Sequence, residues 1–570
     1  MLYDATLRTL HAVRSDALIA GEKTHPEKWA EVDEILARFA TARIDREQDY
    51  AVIKHIIVHN LYGVDIEEQA TEIAKLRLFL KLVALLEPGD AIEPLPDIDF
   101  NIRHGNTLVG YASADETERA VMGKTQGNLF NDAWEDIRSR LSAVEQQYNN
   151  FQIQQVQKGG HITAQDKQAL TDTLYELEET LNYHLAREYG VDPNKTNGYD
   201  AWKASHKPFH WFVDFYPLMA AGGFDVVMGN PPYVQLSEIR DYNTSRYSCS
   251  ACGNLYAVML ERCAELVHPI GRTGFIVPVS SISTDGYRSL QAVYSGHCVH
   301  VSCFDDRPSR LFEGLEHIRL VITLAVRSRQ TRWITTRYHK WTNDERPTLL
   351  QRMAYFSASP SPIANAIPKM GNELERSILE KIKGAGQSIA VHLCLGSGSA
   401  VNYSRKVGYF LQVLDFVPQV LSGDGTHRDP SEFKTIFFRS KVESLAALAC
   451  LNSSLFYWFI TLLSDCRHLN KREVEAFPLP ADLLRERQAS VLGQRVEQLM
   501  FDLQATSEKR VMRFRHDTLT VQCLLPKKSW QAIQAIDEIV ANAIQLSSVE
   551  ADYISGYDIK YRIGRGDDDA

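Results

Sequence analysis

Apolar residues change their spacing several times along the chain, and each change predicts a different element. Residues 60–65, Asn-Leu-Tyr-Gly-Val-Asp, read as a short buried strand. Ala70, Ile73, Leu76, Leu80 and Val83 then fall on one face of a helix, and the run continues through Leu85 and Leu86 to the breaker pair Pro88-Gly89. Residues 98–102, Ile-Asp-Phe-Asn-Ile, read as the next strand, closed by the turn-like His104-Gly105-Asn106. From 130 to 188 the steps become threes and fours: Trp134, Ile137, Leu141, Val144, Tyr148 and Phe151, then, past Gly159-Gly160, Leu170, Leu174, Leu177, Leu181 and Leu185. Thr163 with Asp166 resembles a capping box at the start of the second set. The two stripes predict an antiparallel helical hairpin inserted into an α/β domain, in a structural or docking role.

Strand–helix alternation then resumes. Phe224 to Met228 is a mostly apolar run, 255–267 reads as a helix, 274–278 (Gly-Phe-Ile-Val-Pro) as a strand and 317–326 as another. This order predicts a doubly wound, mostly parallel sheet. Such sheets bind ligands beyond the carboxyl ends of their strands, where Asp65, Asn106 and Asn230 all fall. Past residue 330 the pattern turns irregular and aromatic-rich, which suggests a separate C-terminal domain.

Length and charge narrow the picture. A chain of 570 residues with 44% apolar residues is globular and multi-domain. Its net charge of −10 gives no long-range attraction to nucleic acid, so a nucleic-acid partner needs a local basic face. Nine cysteines are odd in number and sparse, which fits a reducing cytoplasm better than a disulfide framework. No run approaches the ~18 apolar residues of a membrane span. Asp4, Arg8, Arg14 and Asp16 interrupt the N-terminus, so the expectation is a cytoplasmic protein without secretory signal or membrane partner.

The candidate chemistry sits at 230–233. Behind the apolar run and Gly229 stand Asn230, Pro231, Pro232 and Tyr233. The Pro-Pro pair stiffens the turn and fixes the Pro231 carbonyl as a second acceptor beside the Asn230 side-chain oxygen. Two fixed acceptors can grip the two hydrogens of a planar amine and direct its lone pair out of the plane, towards an electrophile. Tyr233 offers a flat face for a heteroaromatic ring. No general base is needed, because the amine becomes acidic only after attack; a prepared electrostatic pocket suffices. A proline-rich turn that merely caps a strand would use the same residues.

The chain from Phe224 to Val234 resembles the catalytic motif of amino-group methyltransferases that use S-adenosylmethionine. Together with 60–83, 97–112 and 207–234, it resembles adenine-specific DNA methyltransferases of the combined restriction–modification type, over roughly 45–480. The tetrapeptide alone is shared with glutamine and ribosomal-RNA methyltransferases; the three blocks in this order are more specific. The resemblance implies a Rossmann-like methyltransferase sheet with a helical hairpin insertion and a mixed α/β target-recognition domain. It implies a partial cofactor-binding half at 1–112, the hairpin at 113–195, a catalytic half at 196–330 and recognition at 331–570. By the same resemblance Asp65 takes the cofactor's ribose hydroxyls, Asn106 contacts its adenine, and Asn230, Pro231 and Tyr233 hold a base flipped out of double-stranded DNA. Target cytosine N4, RNA or protein glutamine, and a DNA-recognition subunit without catalysis, remain alternatives.

One family feature departs. Residues 1–50 hold a single glycine, Gly21, and no glycine-rich turn of the first cofactor motif. The expectation is a protein partner that supplies that strand and turn.

Other signals weigh less. Cys249-Ser-Ala-Cys252 lacks the second pair a structural zinc site needs, so no metal is expected. Phe312 reads as a core residue ahead of a second base-stacking one. No nuclease constellation stands out. Arg467, His468, Asn470, Lys471 and Arg472 read as a compact cationic turn able to meet phosphates and purine edges.

Overall fold

Gly63–Asp65 (β1) and Ile102–His104 (β2) pair in parallel, with Asp65 opposite His104. They belong to a computed structural model that describes residues 45–86, 95–122, 128–156, 163–239, 241–514 and 517–564. The described residues divide into two compact units. One holds those up to Phe224 with Asp241–Asn243 and Glu265–His268; the other holds the rest.

In the first unit, β1 is shorter and more exposed than the sequence pattern predicts. Strand β2 starts where the second predicted strand ends. Residues 98–101 turn instead, because the Asn101 amide donates to the Val58 and Leu61 carbonyls at 2.8 and 3.2 Å. The helix Glu68–Val83 (α1) has the predicted period but not the predicted buried face. Ile73, Leu76, Leu80 and Val83 are exposed. Leu82 with Ala74, Leu78 and Phe79 packs instead on Tyr50, Ile57, Ile98 and Ile102. Pro88-Gly89 and Gly159-Gly160 lie outside the described residues.

The hairpin stripes become Asn128–Val156 (α2) and Ala164–Glu188 (α3). All eleven apolar residues named above are buried in one shared core. Thr163 caps α3 by accepting from the Asp166 amide. A buried ion cluster ties α3 to β2: Arg103 Nη2 lies 2.7 Å from Glu178 and 2.8 Å from Asp214.

The second unit is built on a six-stranded sheet. Its strands are Phe224–Gly229 (β3), Val267–Pro278 (β4), His297–Phe304 (β5), Leu320–Arg327 (β6), Arg332–His339 (β7) and Phe356–Ser357 (β8). The order across the sheet is β3-β4-β6-β5-β7-β8. Strand β6 runs antiparallel to both β4 and β5, β5 is parallel to β7, and β8 is antiparallel to β7. The protein is therefore mixed α/β, with more antiparallel pairing than the strand–helix alternation predicts. β5 was hidden in the sequence by His297 and His300, although six of its eight residues are buried. Strands β7 and β8 carry the sheet past residue 330.

Helix Leu255–Leu266 (α4) forms where the spacing places it. Helices Lys441–Asn452 (α5) and Ser454–Leu463 (α6) sit at the centre of a large apolar cluster, and every residue of α6 is buried. Among the described residues, no single helix is long and apolar enough to cross a membrane.

Candidate active site

The predicted site residues fall into two groups, one in each unit. In the first unit, strand pairing brings Asp65 and Asn106 to the same end of β1 and β2. The Gly105 amide donates to the Asp65 carbonyl at 2.9 Å. The lack of a side chain at Gly105 lets Phe209 pack against this turn, since a Cβ there would meet the Phe209 side chain at 2.7 Å. Asp65 is exposed, and its Oδ1 accepts from the Glu67 amide at 2.8 Å. Its other carboxylate oxygen bonds no described residue.

Asn106 is only 4% exposed. Its amide hydrogen goes to the Lys207 carbonyl at 2.8 Å, and its Oδ1 accepts from Leu108 at 3.1 Å. Its Nδ2 is buried without a hydrogen bond of good geometry. Burial pushes the Tyr242 phenol up, and the neighbouring Asn106 side chain opposes that push. A buried amide donor left unmatched costs about 1–3 kcal/mol. A ring nitrogen or carbonyl of a ligand would satisfy it. An exposed carboxylate and an unsatisfied buried amide thus fit a nucleoside-bearing cofactor.

In the second unit, the tip at the end of β3 is locked from within. Pro231 is buried, Tyr233 is half-buried, and Asn230 and Pro232 are exposed. The Tyr233 hydroxyl lies 2.7 Å from Asn230 Oδ1 and 2.9 Å from the Ile276 carbonyl, and its single proton serves one of them at a time. Burial pushes this phenol up to about 12, so it remains a donor at neutral pH. A carboxamide oxygen has two lone pairs, so Asn230 can accept from Tyr233 and still take one hydrogen of an amine. The Tyr233 ring meets Tyr256 edge-on at 6.1 Å and 87°, and Tyr256 stacks on Tyr287 at 5.5 Å and 14°.

The sequence did not reveal the Ile276 carbonyl or the Tyr256–Tyr287 pair as supports of the tip. Tyr256 reads only as one more apolar position of α4. Phe312, expected in a core, is 36% exposed.

The basic turn is largely consumed by the fold. Arg472 Nε pairs with buried Glu473 at 2.8 Å, while its other nitrogens reach the Ala364 and Ser283 carbonyls. Arg467 donates to the His317 carbonyl at 3.1 Å, and His468 pairs with Asp465 at 3.2 Å. Lys471 stays exposed, with Glu475 at 3.3 Å. It joins Asn470, Arg405, Lys434 and Tyr403 around a cavity of about 640 Å³. The Arg405 and Lys434 side chains form no ion pair among the described residues.

Residues 59–301 match the Eco57I restriction-modification methylase family. A Methanocaldococcus jannaschii protein, described as a type II restriction enzyme and methyltransferase, is 27% identical over 277 residues, covering 41% of this chain. The chain spans 23% of that relative's length. Among solved structures, a nuclease-deletion mutant of the Type ISP restriction-modification enzyme LlaGI with a DNA substrate mimic has 11% identity and a TM-score of 0.30, covering 67% of this chain and 26% of the other. The DrdV–DNA complex has 13% identity and a TM-score of 0.22, covering 33% and 23%.

Proposed function

We propose that this chain transfers a methyl group from S-adenosylmethionine to adenine N6 in a specific DNA sequence, within a restriction–modification system. The observation that carries the reading is the Asn230 side-chain oxygen, held by the Tyr233 hydroxyl at the end of β3. The match of 59–301 to a restriction-modification methylase family supports it. The cofactor supplies an electrophilic methyl group. Asp65 holds its ribose hydroxyls and Asn106 Nδ2 donates to its base. Asn230 and the Pro231 carbonyl take the two hydrogens of the exocyclic amine, which turns its lone pair outward. Tyr233 stacks on the extruded base, with exposed Phe312 as the candidate second face. A backbone-tracking face is assigned to the cavity bearing Arg405, Lys434 and Lys471.

The same reading includes a companion polypeptide that adds a strand and its glycine-rich turn. The terminal position of β3 supports this, with Val226 and Met228 exposed at 54% and 76%. An unpaired strand edge of that kind is costly to leave open.

The test is nucleoside analysis of DNA from methylation-free cells that express the chain with its neighbouring reading frame. N6-methyladenine confined to one sequence is the expected result. N4-methylcytosine in its place would reassign the target base, and unmodified DNA would favour a recognition subunit without catalysis.

A further inference from the structure

The Cys249/Cys252 pair has no place in the chemistry above. Residues Ser248–Cys252 form a turn of 3-10 helix, in which side chains three apart eclipse each other. Cys249 is fully buried and Cys252, three residues on in the same turn, is partly exposed. Glu261 closes the site from behind. Its carboxylate accepts from the Cys249 amide at 2.7 Å and from the Ser248 amide at 3.0 Å.

We propose that Cys249 and Cys252 are a redox-active dithiol that closes to an intramolecular disulfide on reaction with a disulfide oxidant such as oxidised glutathione. The exposed sulfur attacks first and the buried one resolves. The Cys252 thiolate attacks one sulfur of the oxidant, forming a mixed disulfide and releasing one glutathione thiolate. The released glutathione thiolate takes the Cys249 proton, and the Cys249 sulfur attacks the Cys252 sulfur and expels the second glutathione thiolate. Two thiols lose two electrons and one disulfide becomes two thiols, so the exchange balances.

The local electrostatics fit this order of attack. The hydrogen bond from Cys249 brings the Cys252 thiol down to about 7, against burial and with help from the Leu290 amide. Cys249 is pushed up, first by that same bond and then by burial and Glu261. Burial pushes Glu261 up, but the bonds from Cys249 and Ser248 outweigh it and hold the carboxyl below its ordinary range. Cys303 and Cys450, by contrast, are buried and pushed up to about 12, which makes them inert.

The pair also adjoins the tip. The Leu236 amide donates to the Gly253 carbonyl at 3.0 Å and the Leu255 amide to Val234 at 2.8 Å, so the turn is laced to the chain just beyond Tyr233.

The 570-residue chain is equilibrated in glutathione buffers of graded composition, quenched in acid, treated with N-ethylmaleimide and digested with trypsin. The peptide 247–262 carries no other cysteine. With oxidant it should become two hydrogens lighter and refuse maleimide, and excess dithiothreitol should reverse this. Half-exposed Cys394 and Cys523 should form no internal bond under the same conditions. Cys249→Ser should leave glutathione attached at Cys252, and Cys252→Ser should leave Cys249 unreacted. Maleimide on both cysteines across the whole series would overturn the proposal. So would a wild-type peptide that stops at the mixed disulfide.

Discussion

Removing one oxygen atom at the tip tests how Asn230 is held. In Tyr233→Phe the ring stays and the hydroxyl that lies 2.7 Å from Asn230 Oδ1 and 2.9 Å from the Ile276 carbonyl is lost. The proton serves one acceptor at a time, so one hydrogen bond is deleted. A bond of that kind is worth about 0.5–1.5 kcal/mol net. At ~1.4 kcal/mol per factor of ten, that predicts methyl transfer slower by roughly two- to twelvefold. Tyr233→Ala also removes the stacking face, worth about 1–3 kcal/mol per base, so its loss should exceed that of the phenylalanine variant by roughly fivefold to a hundredfold. Single-turnover methylation of cognate DNA at saturating cofactor reads the step directly, with the melting temperature as a control for folding. Because burial holds the phenol near 12, the wild-type rate should not track phenol ionisation between pH 7 and about 10. Equal rates for wild type and Tyr233→Phe would refute the hydroxyl's role. Equal losses for phenylalanine and alanine would refute the ring's.

Four further outcomes follow from how individual charged groups are held. Arg103→Ala strands Asp214, whose side chain is 1% exposed, and should cost about 3–5 kcal/mol; an unchanged thermal melt would contradict the cluster's structural weight. Arg472→Ala should lower the melting temperature. The pair Arg405→Glu and Lys434→Glu should leave it unchanged yet weaken duplex binding and flatten its salt dependence by about one unit per lost phosphate contact; an unchanged salt slope would move the DNA face elsewhere. His339 is held down to about 4 by burial, with Arg337 and Arg352 adding to it. Its folded value lies below the ordinary ~6.5, so its contribution is complete above that pH and is lost as the pH falls towards 4, by up to about 3 kcal/mol. Denaturation midpoints across that window should be flatter for His339→Phe.

What the sequence made legible follows from how local each signal is. The stripes of α2 and α3 were plain because both helices bury one regular face over about four to five turns. The face of α1 was not, because Ile73, Leu76 and Leu80 compete with Ala74, Leu78 and Phe79 on the other side, and periodicity does not say which one meets a core. Strand β5 was missed because histidines and cysteines stand where a strand pattern shows valine and isoleucine. The tip was readable from four consecutive residues, yet its lock runs through the Ile276 carbonyl, a backbone atom with no residue signature. Arg472 looked free for DNA because its acceptors at Ala364 and Ser283 lie more than a hundred residues away. CxxC spacing was visible, whereas the exposure difference between its two sulfurs belongs to the fold.

The central claim is that Asn230 holds the amine that receives the methyl group. It is tested most directly by Asn230→Ala in the assembled enzyme, with tritiated methyl transfer to cognate DNA measured beside calorimetric binding of S-adenosylmethionine. The account predicts turnover lower by several orders of magnitude with cofactor affinity nearly unchanged, since removing one transition-state acceptor alone costs about 10²–10³-fold and the misaligned amine adds to it. Near-normal methyl transfer by the alanine variant would contradict it.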